Sequence, residues 1–100
     1  MKKLFISQPM QGMTQEEIFA ARDAAIISAE REIGEPVEVL DTMFIAGPPD
    51  KPLYYLAKAI EKLAEADVAY FAKGWQGARG CRIENECAIQ YGILTIEDYK

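Results

Sequence analysis

The stretch GWQGARGCRIENECAIQYG, residues 74–92, holds the residue types best able to do chemistry in this chain. Gly74, Gly77 and Gly80 alternate with Trp75, Arg79 and Arg82, and then come Glu84 and Glu86. Ile83, Cys87 and Tyr91 recur at four-residue spacing, so the stretch reads as a glycine-rich loop that enters a helix. Glu84 then falls near the first turn, where the helix dipole favours a carboxylate by about 0.3–1 kcal/mol. Two readings follow. Glu84 is a solvated helix-surface charge, or it is a carboxylate kept ionised and aimed at a substrate. In the second case it can bond to, or stabilise, the oxocarbenium-like anomeric carbon of a sugar. Glu86 stands about 200° further round a helix, so it cannot face the same ligand and belongs in solvent.

The chain has no histidine, which removes the commonest metal ligand and the commonest general base. The spacing of Cys81 and Cys87 is neither a zinc nor a redox motif. No metal or cofactor is expected. Chemistry must rest on carboxylates, hydroxyls, a thiol or the backbone.

The elements that position Glu84 can be read from the pattern. Lys3–Ser7 (KLFIS) is a short apolar run closed by Gln8-Pro9 and reads as a buried strand. Thr14 and Glu17 form a capping box, which predicts a helix with Ile18, Ala21, Ala25, Ala29 and Ile33 on one face. Gly34 ends that helix, and Pro36 prevents its return. Val37–Leu40 reads as a second strand, and residues 41–51 as a Gly- and Pro-rich loop. Pro52 suits a helix start, with Leu53, Leu56, Ile60 and Leu63 as its apolar stripe. Asp67–Ala72 is a third strand and Ile93–Ile96 a fourth.

Strands alternating with helices imply a parallel sheet with helices on both faces. The expected fold is therefore a three-layer α/β, flavodoxin/Rossmann-like domain with a four-stranded parallel sheet of order 2-1-3-4. Ligands of such sheets sit beyond the carboxyl ends of the strands, where the strand order reverses. The loop after strand one (Ser7, Gln8, Pro9, Met10, Gln11, Gly12, Met13) and the loop after strand three (residues 73–80) should meet there.

The 100 residues make a single domain, 1–100, with a modest core. A formal net charge of -5 argues against a nucleic-acid polymer as partner. It leaves a single nucleotide open, since backbone N–H groups hold phosphate without net positive charge. The apolar run at the start is too short for a signal peptide, and no segment reaches membrane-spanning length, so a cytoplasmic protein with no membrane partner is expected. Exposed sheet edges on so small a domain favour a homo-oligomer.

Several residues carry two readings each. Ser7 bonds a ligand or finishes the strand, and Gln8-Pro9 marks a rigid turn. Trp75 stacks on a base or covers the core. Cys81 is either activated near a helix N-terminus or buried and inert. Asp67 caps backbone at a strand start or takes part in the site.

The segment ENECAIQYG, residues 84–92, resembles the nucleoside 2-deoxyribosyltransferase superfamily: a Glu opens a helix after a glycine-containing loop, with Ala and Gly at the positions of Ala88 and Gly92. LFISQPMQG resembles that family's first strand and substrate-cradling loop, and Ala66-Asp67-Val68 the opening of its central strand. The chain is most similar to a short bacterial and phage branch with ISQPM near the start and GW..ARGC..E further on. The resemblance implies that Glu84 attacks C1′ of a 2′-deoxyribosyl group, passing the sugar to another base or to water. It places Ser7, Gln8, Pro9 and Gly12 around the sugar or phosphate, with backbone near Gly77 or Gly80 at a phosphate. The family's usual acidic residues before the helix are replaced here by Ala78-Arg79, and Arg79 and Arg82 suit a phosphate. Asp41, at the end of strand two, is the acidic candidate that remains. The implied ligand is a small-molecule nucleoside or nucleotide. The implied activity is deoxyribosyl transfer or deoxynucleotide N-glycosidic cleavage, the alternative being a non-catalytic nucleotide-binding or sensing module.

Overall fold

A computed structural model describes residues 1–42 and 50–99. The element order is β1 (Lys2–Ser7), α1 (Gln15–Ile33), β2 (Val37–Val39), α2 (Pro52–Leu63), β3 (Val68–Phe71), α3 (Arg79–Gln90) and β4 (Leu94–Glu97), with a short 3₁₀ turn at Trp75–Gly77. The four strands form one parallel sheet of order β2-β1-β3-β4, as the alternation of elements predicts. Most of the predicted loop 41–51 lies outside the described residues.

Alternation along β1 and β3 divides the core into two layers. Leu4 and Ile6 of β1, with Val68 and Tyr70 of β3, pack against Ala25 and Ala29 of α1. Phe5, Ala69 and Phe71 face the other way, onto Leu63 of α2 and Cys81 and Ala88 of α3. β3 is buried along its whole length, as befits a strand with neighbours on both edges and helices on both faces.

Local chemistry sets the helix ends. Thr14 Oγ1 accepts from the Glu17 N–H at 3.1 Å while Glu17 Oε1 accepts from the Thr14 N–H at 2.9 Å, the reciprocal capping box. At the other end Gly34 adopts φ 82°, the left-handed conformation that stops α1. Asp67 Oδ2 accepts from the Lys3 N–H at 2.8 Å, tying the approach to β3 to the start of β1. One predicted stripe differs from the structure. Leu53 is 75 % exposed, so only the later turns of α2 meet the core. On α3 the buried face is Cys81, Glu84, Asn85 and Ala88, leaving Ile83 and Tyr91 outward. The spacing of apolar residues identified the helix but not its inward side, because two of the inward residues are polar. Among the described residues no helix is long and apolar enough to cross a membrane.

Candidate functional site

The parallel register pairs Ser7 with Phe71, which brings the last residues of β1 and β3 side by side. Ala72 then donates its N–H to the Ser7 carbonyl at 2.9 Å, extending the ladder one step beyond β3. The loops that leave the two strands touch: a Cβ added at Gly74 would stand 3.6 Å from Cγ of Pro9. Gly74 also has φ 86°, so this turn requires the left-handed region. The two loops thus meet at the strand ends, where the sheet order reverses.

Glu84 points at this junction from α3. The helix begins at Arg79, so Glu84 lies beyond the first turn, and the expectation of a carboxylate held ionised by the helix N-terminus is corrected. What holds Glu84 is Ser7. Its hydroxyl donates to Glu84 Oε1 at 2.6 Å, within the range of charge-assisted O–H···O⁻ bonds. Ser7 is 2 % exposed and Glu84 8 %. Burial pushes the Glu84 carboxyl above its ordinary value, and the Ser7 hydroxyl pulls part of that back. Cys81, one turn earlier, belongs to the same cluster. Its thiol is raised by burial, lowered by the Ser7 hydroxyl and raised again by the Glu84 charge. Of the two readings of Cys81, the geometry favours the buried thiol.

A cavity of about 240 Å³ opens against Glu84. Its polar lining is Ser7, Gln8, Thr42 and Glu84, and Phe5, Ile6, Met10, Tyr55 and Ala59 supply the apolar part. Glu84 is the sole charged side chain among these described residues. Two larger hollows lie elsewhere. One of about 520 Å³ runs between α2 and α3 beside Tyr91, and one of about 390 Å³ runs along α1 and β4. Neither reaches Glu84, so the smaller cavity, with its buried carboxylate at the strand ends, is the better candidate. Gln8 is itself buried. Its Nε2 donates to the Ile18 carbonyl at 3.0 Å, while its Oε1 has no partner among the described residues.

The remaining predicted site residues fall outside the cavity lining. Pro9 and Gly12 belong to the loop beyond Gln8, and Gly12 turns at φ 79°. Trp75 is buried in the core, with ring centroids 5.6 Å from Phe71 and 5.9 Å from Tyr99, which favours the core-covering reading over base stacking. Gly77 ends the 3₁₀ turn and Gly80 lies in the first turn of α3. Arg79 and Arg82 are exposed, and Arg82 donates to the Gln76 carbonyl at 2.9 Å. Asp41 is exposed and precedes Thr42, which lines the cavity in its place. Glu86 is exposed and accepts from Gln90 at 3.2 Å, in agreement with its predicted solvated role.

Thr42 was not singled out by sequence reasoning, and Tyr55 was not read as a site residue. Thr42 carried a usable signal, since it follows β2 on the carboxyl side of the sheet. Tyr55 carried none: its inward direction depends on how α2 docks. Asn85 was also missed. Its Nδ2 donates to Glu97 Oε2 at 2.7 Å, bracing α3 against β4 beside Glu84.

Fold and cavity together define a three-layer parallel α/β domain with a buried, hydroxyl-held carboxylate at the carboxyl ends of its central strands. The chain belongs to the family described as a domain of unknown function, DUF4406, whose pattern matches residues 2–97. No curated protein and no solved structure matches it.

Proposed function

We propose that this domain binds a 2′-deoxynucleoside or its 5′-monophosphate at the strand ends and cleaves or exchanges the N-glycosidic bond, with Glu84 as nucleophile. The observation that carries the reading is the Ser7–Glu84 hydrogen bond at the cavity wall. It fixes one carboxylate oxygen and leaves the other for an electrophile. A carboxylate taken out of water gains more from a positive centre than a solvated one does, which suits an oxocarbenium-like transition state. In the step envisaged, a Glu84 oxygen bonds to C1′ as the C1′–N bond breaks. The electron pair leaves with the base, which takes a proton from solvent. Water or a second base then attacks C1′ and frees the carboxylate. The likeness of residues 84–92 to the nucleoside 2-deoxyribosyltransferase superfamily supports the same assignment.

One observation favours a second reading, a non-catalytic nucleotide-binding module. No second carboxylate lines the cavity among the described residues, so an acid for the departing base is not built into its wall. Incubation with deoxynucleosides and their 5′-monophosphates, followed by chromatography of released base, separates the two. Release that disappears in Glu84→Gln supports the enzyme. Binding without release, unchanged in Glu84→Gln, supports the module and overturns the catalytic proposal.

A further inference from the structure

Among the described residues a cation stands next to the cavity lining, and it is neither of the arginines in the glycine-rich loop. Arg22 projects from α1 one turn after Ile18, whose carbonyl holds Gln8. Its Nη1 lies 3.5 Å from Thr42 Oγ1 and its Nη2 3.5 Å from the Leu40 carbonyl. Gln8 and Thr42 both line the cavity, so Arg22 is one contact removed from it on this side.

Three features mark this guanidinium as uncommitted. Both contacts are long compared with the usual 2.9–3.0 Å for N–H···O, and both acceptors are neutral. Arg22 is in neither of the surface ion pairs of α2, Lys58–Glu61 and Lys62–Glu65. Arg22 is nonetheless half-buried, which removes part of its hydration while these two acceptors are neutral. Nearby, the buried Oε1 of Gln8 has no donor among the described residues.

We infer that Arg22 binds an anionic substituent of the ligand, a phosphate monoester on a pentose, at the rim formed by α1 and the end of β2. The planar fork of a guanidinium matches phosphate oxygens in pairs, and a hydroxyl of the same ligand would satisfy Gln8 Oε1. The arrangement also answers an electrostatic need. A phosphate entering a cavity that holds the Glu84 carboxylate meets like charge, and a cation at the rim offsets it. Arg79 and Arg82 do not line the cavity, and the Arg82 fork is partly used by Gln76. The ligand class rests on the proposed function, but the assignment of Arg22 can be tested apart from it.

The test is calorimetric titration with a deoxynucleoside, its 5′-monophosphate and 2-deoxyribose 5-phosphate. The proteins are the unaltered chain, Arg22→Gln, Arg22→Lys and Arg79→Ala, each checked for its urea midpoint. Arg22→Gln should weaken both phosphorylated ligands by about tenfold or more, the worth of a hydrogen bond to a charged group, and leave the nucleoside nearly unchanged. Arg22→Lys keeps the charge without the fork and should lose less, which also guards against a folding defect in the first variant. Arg79→Ala should match the unaltered chain. Equal losses for phosphorylated and free ligands would overturn the assignment. So would a selective phosphate loss in Arg79→Ala, or failure of the unaltered chain to bind any phosphorylated probe. Arg22-dependent binding of 2-deoxyribose 5-phosphate without nucleoside binding or base release would sink the glycosidic proposal and leave Arg22 standing.

Discussion

Replacing Ser7 by alanine puts the most informative stress on the site, because it removes one oxygen atom and leaves Glu84 where it is. Ser7 and Glu84 are both buried, and their 2.6 Å bond spans the whole fold from β1 to α3. A hydrogen bond to a charged group contributes about 1.5–3 kcal/mol, and the carboxylate left behind is largely buried. For a domain of this size, each kcal/mol moves the melting temperature by about 4–8 °C, so the expected fall near neutral pH is on the order of 6–24 °C. The loss must depend on pH in one direction. The hydroxyl lowers the Glu84 carboxyl against the upward push of burial, so it stabilises the ionised form. That stabilisation is present above the carboxyl's titration range and is lost as pH falls through it. Below that range the bond is between neutral groups, worth about 0.5–1.5 kcal/mol. Urea unfolding followed by far-ultraviolet circular dichroism, at neutral and at acid pH, measures the difference. In a Glu84→Gln background the same Ser7→Ala change should cost only the neutral-pair amount at both pH values. A loss that is equal at both pH values in the unaltered background, or no measurable loss at all, would refute this account of how Glu84 is held.

Two further predictions follow from the geometry. Glu84→Gln should raise stability at neutral pH by about 0.5–2 kcal/mol while abolishing base release, the trade expected of a buried functional charge. The sign is set by the net upward shift of the carboxyl: the folded state is favoured while Glu84 is protonated and loses that advantage as pH rises through the raised value. Greater stability at acid than at neutral pH should therefore flatten in the variant, and urea midpoints across pH would show it. Trp75→Ala should cost about 3–5 kcal/mol because the indole fills core space against Phe71 and Tyr99, whereas Trp75→Phe should leave base release unchanged. Loss of release with intact stability in Trp75→Phe would restore the indole as a base-stacking group.

The fold was legible because each element carries its own local signal. The capping box at Thr14, the left-handed Gly34 and the all-apolar β3 act through neighbours in sequence, and alternation of strand and helix leaves few topologies. The site was legible only in part. Ser7 and Glu84 were both named, the first as the end of a strand and the second as an acid in a helix after a glycine-rich loop. That they bond to one another depends on a register and a helix rotation that spacing does not encode. Apolar spacing alone does not give the rotation of α3, because its buried face carries Glu84 and Asn85 whereas its apolar Ile83 and Tyr91 face outward. Arg79 and Arg82 drew attention by their place beside glycines, yet Arg22, with no motif around it, is the arginine that α1 brings to the rim. A long side chain on a helix reveals its target only once the helix is docked on the sheet.

The central claim is that Glu84 forms a bond to the sugar, and mass spectrometry of the acid-quenched protein tests it most directly. After brief incubation with a deoxynucleoside or its 5′-monophosphate, the peptide that contains Glu84 should carry one deoxyribosyl group, phosphorylated in the second case. The adduct should be absent from Glu84→Gln. Base release that persists in Glu84→Gln, with Glu84 unmodified in the unaltered chain, would contradict the account.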